Sequence, residues 1–397
     1  MTTLSPVTDT SAGQDSRTAA LQASGWGAPF KLLQPRNLCF WVYALGVAAG
    51  IWRMVQYYGG GAGAYGVGLG TGALAFAIYT IPWLVLLAYH NRYTRQPASL
   101  LAAAFVWGAA AATFWIALPA NGAFLSLYGK AFGQAWVNDW GAGLTAPINE
   151  EIGKALGLIL LLGLARKLVR SPFDGLIIGA FIGLGFQISE DVLYAFNNTA
   201  VNFGADQVGS AWHIVLLRSA TGLFGHVLFS AVFCSGLMWL LGRGDRPRRL
   251  RGLLLMIAAM IAHGGWDSMG ALGYLLAGNY GVLLLMVVVM PVADLLLLWL
   301  AFRLAVPQEQ AWLRDILAAE TETGLLTEAE VTAAAGGWRT RRHYRKAQHG
   351  HDEKQRAKHI LTAANDLAEQ IAEAGGHDTD DVEHARAEIT RLRTSPA

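Results

Sequence analysis

Nine ionisable side chains stand inside stretches of this chain that are otherwise apolar enough to cross a membrane: Glu150, Glu151, Lys154, Glu190, Asp191, His226, His263, Asp267 and Asp294. An ionised group at mid-bilayer costs ~2.5 kcal/mol or more, so such residues persist mainly where they face a protein interior and act there. Their spacing suggests chemistry. In NEEIGK, Lys154 follows Glu150 by four residues and Glu151 by three, and both intervals bring side chains together on one helix surface. Lys154 therefore compensates one carboxylate, and the other is a candidate general base for activating water. A purely stabilising Glu–Lys pair would explain this motif equally well. In HGGWD, His263 and Asp267 are one turn apart on one face, the arrangement in which an acid orients the imidazole of a metal ligand or catalytic base. A lone buried histidine is usually a satisfied core residue. Two of them, His226 in FGHVLFS and His263, with glutamates on facing helices, favour a reactive site.

The elements that must position these groups are membrane helices. The chain is 54% hydrophobic and 15% charged, well under the charged fraction of soluble domains, about 25%. Eight apolar runs, near 38–57, 66–89, 99–118, 141–165, 173–197, 215–241, 252–273 and 281–305, have the ~20-residue length that spans a bilayer. The expected fold is all-α: a polytopic bundle of about eight transmembrane helices over 37–306, preceded by a disordered N-terminus (1–36) and followed by a small helical tail (307–397). In the fifth run Gly175, Gly179 and Gly183 are four apart, a spacing that lets another helix approach closely. Glu190 falls on that same face, nearly two turns on, with Phe186 one turn before it. Residues 119–140 are expected to connect two spans outside the membrane, lying in the interface. The ionisable groups converge on the outer half of the bilayer when helix rise is counted from each span end. His213 and Arg218 are expected at the outer surface, snorkelling.

Lys and Arg distribution sets orientation. Thirteen, among them Arg92, Arg95, Arg166, Lys167, Arg246 and Arg249, fall in loops on one side, against Arg53, Lys130 and Arg218 on the other. Both termini are thus expected in the cytoplasm. Cys39 and Cys234 are too few and too deep in apolar runs for a disulfide framework or a cysteine metal site. The tail carries twelve basic and sixteen acidic residues. Nucleic-acid binding has no support beyond the short basic run Arg339–Lys346, which reads as a solvated face or an anionic-lipid contact. Thr327 and Glu330 form a capping-box pattern, and 352–373 and 380–393 have helical periodicity.

EEIGK, GFQISED, an isolated histidine and HGGWD, in that order and one motif per helix from Pro147 to Gly270, resemble the PrsW family of intramembrane proteases, whose pattern is E-E-x-x-K, F-x-x-x-E, His and H-x-x-x-D. The CAAX prenyl endopeptidases of the same superfamily show E-E-x-x-x-R and F-x-x-x-H instead, which Lys154 and Glu190 do not match. Asp191 departs from the family pattern, where Asn is expected. The resemblance implies an endopeptidase that hydrolyses a membrane-anchored protein in the cell membrane, by analogy with site-1 cleavage of an anti-sigma factor. It implies Glu150, Glu151, Glu190, His226, His263 and Asp267 as the catalytic set, with Lys154, Phe186 and Arg218 in support. Two mechanisms stay open. In one, no metal is needed and a glutamate activates water directly. In the other, His226, His263 and Glu190 hold zinc, with a water as fourth ligand. Because Glu followed by Lys at i+4 is the better-oriented pair, Glu150 is expected to pair with Lys154 and Glu151 to be the base.

Two other functions compete. An ion-coupled transporter or channel also uses intramembrane acids, and it predicts internal repeats and broken helices at matching positions; neither is visible in the sequence. A catalytically silent scaffold or receptor of the same superfamily would be expected to lose some of these residues, yet all are present. Oligomeric state has no sequence signature here.

Overall fold

The computed structural model describes residues 11–244, 247–278 and 282–394. Among the described residues the chain is helical and has no strand. In chain order the main helices are α1 (Ser11–Ser24), α2 (Leu38–Gly59), α3 (Ala62–His90) and α4 (Ala98–Phe132). Then come α5 (Ala142–Leu164), α6 (Pro172–Val201), α7 (Gln207–Thr221), α8 (His226–Leu240), α9 (Arg249–Asp267) and α10 (Met269–Ala277). α11 (Leu283–Glu322), α12 (Glu328–Ala335), α13 (Trp338–Lys346), α14 (Gly350–Glu373) and α15 (Asp380–Thr394) complete the series. Arg246, one of the thirteen residues used for orientation, lies outside the described residues.

Two compact units are present. One comprises Phe30–His90 and Pro97–Ala305. Its α2, α3, α4, α6 and α11 are each long and apolar enough to cross a membrane, and α7–α8 and α9–α10 add two spans if each bent pair counts as one. The protein is a multi-pass membrane protein; among the described residues five to seven spans meet this measure, so the expected eight are not all borne out by it. α5 is 23 residues long and falls short on hydropathy because its middle turns carry Glu150, Glu151 and Lys154. Large apolar side chains such as Leu45, Trp52, Val55 and Leu74 are exposed on α2 and α3, as helices facing lipid require.

α6 is the central helix and is buried along most of its length. A full capping box starts it: Ser171 accepts from the Asp174 N–H, Asp174 caps the Ser171 N–H, and Pro172 follows at the first helical position. Its glycine stripe faces α8. A Cβ on Gly179 would lie 2.5 Å from the Ser230 carbonyl oxygen and one on Gly183 2.3 Å from that of His226. Only glycine permits this contact, and it draws the two helices, and hence Glu190 and His226, together. α5 and α9 make a reciprocal contact, with a Cβ on Gly143 or on Gly264 falling 2.5 Å from the other's carbonyl oxygen.

Several local expectations change. α4 does not stop near residue 118 but runs on to Phe132, passing through a π-helical stretch at Trp107–Ala117; its apolar, alanine-rich sequence favours a continuing helix despite Gly108 and Pro119. The sixth span is not continuous, since α7 and α8 meet at a 42° bend over Gly222–Gly225, and α9 and α10 bend by 78° at Ser268. His226 is the first residue of α8 and Asp267 the last of α9. Broken helices, the mark sought for a transporter, therefore occur. Both breaks adjoin the polar cavity described below, where freed backbone groups are tolerated.

The other unit is built from the chain up to Pro29, Asn91–Gln96, and the tail from Val306. Residues 11–24 form a helix, where composition alone suggested disorder. Ala20, Leu21 and Trp26 are buried, Arg17 is 1% exposed, and its guanidinium binds the Glu320 carboxylate at 2.7 Å and the Ile316 carbonyl at 2.9 Å. A small-residue segment thus gains its stability from the tail it covers. The Thr327–Glu330 capping box forms as the sequence indicates.

Candidate active site

Five helices bring the sequence-predicted residues around one cavity of about 330 Å³, lined by Glu150 of α5, Glu190 of α6, Arg218 of α7, His226 of α8, and His263 and Asp267 of α9. Glu151 and Lys154 lie behind this wall, both fully buried. Pro147, inside α5 one turn before Glu150, packs against α9 at Gly264.

The two glutamates differ in surroundings. Lys154 Nζ is 2.8 Å from Glu151 Oε1 and 3.5 Å from Glu150 Oε2, and its charge lies over the Phe186 ring, 4.0 Å from the centroid. Ser230 Oγ donates to Glu151 Oε2 at 3.2 Å. Glu151 is therefore the carboxylate neutralised by Lys154, and Glu150 the one facing the cavity, the reverse of the pairing expected from helix-surface statistics. Those statistics describe solvated side chains; here packing around a fully buried ammonium decides which carboxylate it reaches.

His226 is held from both ring nitrogens. Its Nε2 is 2.8 Å from Glu190 Oε2 and its Nδ1 3.1 Å from Lys154 Nζ. An ammonium only donates, so Nδ1 carries the lone pair and Nε2 the proton, a tautomer assigned from its neighbours. Glu190 and Asp191 are bridged by Arg218, at 2.6 and 2.5 Å. The snorkelling expected of Arg218 is thus replaced by an inward ion pair, because two acids in a poorly hydrated site attract it more strongly than the interface does. His263 is 1% exposed and stacks on Phe229 with ring planes 14° apart. Its Nδ1 is 3.2 Å from Glu151 Oε1, and its Nε2 lies 3.5 Å from Asp267 Oδ2 and 3.7 Å from Glu150 Oε2. Neither nitrogen has a hydrogen-bond partner of good geometry. Asp294 is buried with Oδ2 unpartnered and does not line the cavity.

Three groups escaped the sequence reading. Asn121 of α4 donates to Glu150 Oε1 at 3.0 Å and accepts from Asn149 at 3.1 Å; it sits in the segment expected to be an external connection. Phe229 supports His263, and Gln187, 1% exposed, lines the cavity with neither amide atom hydrogen-bonded. An amide inside an apolar helix was the available signal for both Asn121 and Gln187.

Glu150, His226 and His263 each place one donor atom within 4.8 Å of the other two. The carboxylate that joins the histidines is Glu150, not Glu190, which lies on the far side of the His226 ring. Ligands ~2.1 Å from a tetrahedral ion lie roughly 3.4 Å apart, close to the 3.5 Å between Glu150 Oε2 and His226 Nδ1 and the 3.7 Å between that oxygen and His263 Nε2. The unpartnered nitrogens of His263 suit the same role, and the Nε2–Glu190 contact of His226 leaves the lone pair on Nδ1, where a metal would replace the Lys154 ammonium as its partner. The residues present fit a catalytic-type metal with three protein ligands.

Residues 96–295 match the family model described as PrsW family intramembrane metalloprotease. No curated protein and no solved structure matches the chain.

Proposed function

The chain belongs to the PrsW family of intramembrane proteases, and from that premise we propose that it hydrolyses a peptide bond of a membrane-anchored protein, with Glu150 as the water-activating base. The observation that carries this reading is the convergence of Glu150, Glu190, His226, His263 and Asp267 on one cavity, with Glu150 the carboxylate exposed to it and Glu151 sequestered by Lys154.

In this mechanism a water in the cavity attacks the scissile carbonyl carbon while a Glu150 oxygen takes its proton. Asn121, bonded to the other oxygen, holds the carboxylate in place. His263 is the donor free to meet the oxyanion as the tetrahedral intermediate forms. Glu150 then returns its proton to the leaving amine as the C–N bond breaks. Glu190 and Arg218 keep His226 fixed in one tautomer, and Glu151 and Lys154 form the buried charge-balanced base of the site. A metal held by Glu150, His226 and His263 would supply a Lewis acid and a water acidified to near neutral pKa.

The likeness to the family makes a single-span anti-sigma factor the first substrate type to test. The Lys and Arg distribution supports cytoplasmic termini and a cleavage site toward the outer face. The test is cleavage of a co-expressed single-span substrate by Glu150→Gln and Glu151→Gln variants, with bound metal measured on each purified protein. Glu150→Gln is expected to abolish cleavage. Normal cleavage by Glu150→Gln, or a cut mapped to the cytoplasmic side, overturns the assignment.

A further inference from the structure

The tail contains more acid than base, yet five of its twelve Lys and Arg residues gather in one cleft. The cleft lies between α13 and α14, with a volume of about 320 Å³, and is lined by Arg342, Arg345, Lys346, Lys354 and Lys358 together with His351 and Gln355. The spacing is helical on both sides. Arg342, Arg345 and Lys346 follow an i, i+3, i+4 pattern, and His351, Lys354, Gln355 and Lys358 continue it as i, i+3, i+4, i+7, so each helix commits one face.

No carboxylate lines this cleft. Three other cations of the tail are paired with acids: Arg386 with Glu320 and Asp378, Arg391 with Glu388, Arg393 with Glu330. Among the described residues, none of the five cleft cations has an acidic partner. The adjacent acid Glu353 is engaged instead at the start of α14, where it accepts the His349 N–H at 3.0 Å. Arg342 rests over the Trp338 ring, 5.0 Å from its centroid. Arg345 Nε is shielded from solvent and has no hydrogen-bond partner, although a buried donor is costly to leave unmade.

Five like charges around a concavity, with a desolvated guanidinium donor among them, form a receptor for a compact anion. We propose that this cleft binds a phosphoryl group, with the headgroup of an anionic phospholipid as its source. The volume suits one phosphorylated headgroup. The covalent link of the tail to a membrane helix makes anionic lipid an abundant supply of that group.

The test uses the full chain in neutral detergent, with hydrogen–deuterium exchange followed over residues 338–358, a local readout that lipid bound elsewhere on the apolar unit does not move. The probes are dioctanoyl phosphatidic acid, inorganic pyrophosphate and, as a zwitterionic control, dioctanoyl phosphatidylcholine. Saturable protection by phosphatidic acid is expected, weakened roughly tenfold or more in apparent affinity by Arg345→Ala. The exposed pair Lys354→Ala/Lys358→Ala, which spares the fold, should do the same. Protection by pyrophosphate but not by phosphatidic acid confirms the phosphoryl site and reassigns its source to a soluble phosphate. Equal protection by phosphatidylcholine, no protection by either anion, or unchanged affinity in Lys354→Ala/Lys358→Ala overturns the proposal.

Discussion

Replacing Lys154 with methionine tests the electrostatic core of the site. The ammonium is fully buried, 2.8 Å from Glu151 and 3.5 Å from Glu150, with the Phe186 ring beneath it. Methionine keeps most of the stem but strands two carboxylates, of which Glu151 has no solvent access. Removing one partner of a buried pair costs about 3–5 kcal/mol, because the other charge stays uncompensated. That is a large share of the ~5–15 kcal/mol by which a domain is stable. Lys154→Met is therefore expected to lower the unfolding free energy by about 3–5 kcal/mol. The double variant Lys154→Met/Glu151→Gln removes the stranded charge and should regain much of that loss, with a coupling of about 1–3 kcal/mol. Unfolding of the parent, both single variants and the double variant in mild detergent, followed by far-ultraviolet circular dichroism, measures the cycle. A Lys154→Met protein within about 1 kcal/mol of the parent, or a double variant whose loss is the sum of the singles, refutes the pairing.

Gly183→Ala places a Cβ 2.3 Å from the His226 carbonyl oxygen, so overpacking should cost about 1–3 kcal/mol and displace His226 enough to suppress cleavage; Gly66→Ala, with nothing within 4 Å, is the control that should cleave normally. Asn121→Leu deletes one charge-assisted hydrogen bond to Glu150 and should lower kcat/KM roughly tenfold with melting temperature little changed, as measured by substrate cleavage and thermal unfolding. Arg218→Met leaves Glu190 and Asp191 without their shared cation. It should abolish cleavage, and Arg218→Lys should restore only part, because a single ammonium cannot reproduce the forked contact; full activity in Arg218→Met refutes that role.

The sequence by itself determined the class of the molecule and picked out most of the ionisable groups that line its cavity. Apolar runs and their interruption by Glu150, Glu190, His226, His263 and Asp267 are properties of residue order, and helical periodicity is local enough to read from one chain. The glycine stripe at 175, 179 and 183 was legible for the same reason: small residues four apart on an apolar helix mark a close approach. Which group each charge meets was decided by tertiary structure. Lys154 is within reach of both glutamates along its own helix, and only the packing of Phe186, Ser230 and His226 around it assigns it to Glu151. Arg218 and Asn121 turn inward because acids from other helices await them, and those partners lie 28 and 29 residues away from Arg218 and Asn121 in sequence. The N-terminal helix is ordered by Glu320, 303 residues after Arg17. The bends that put His226 and Asp267 at helix ends depend on backbone groups finding partners in a cavity that exists only after the helices assemble.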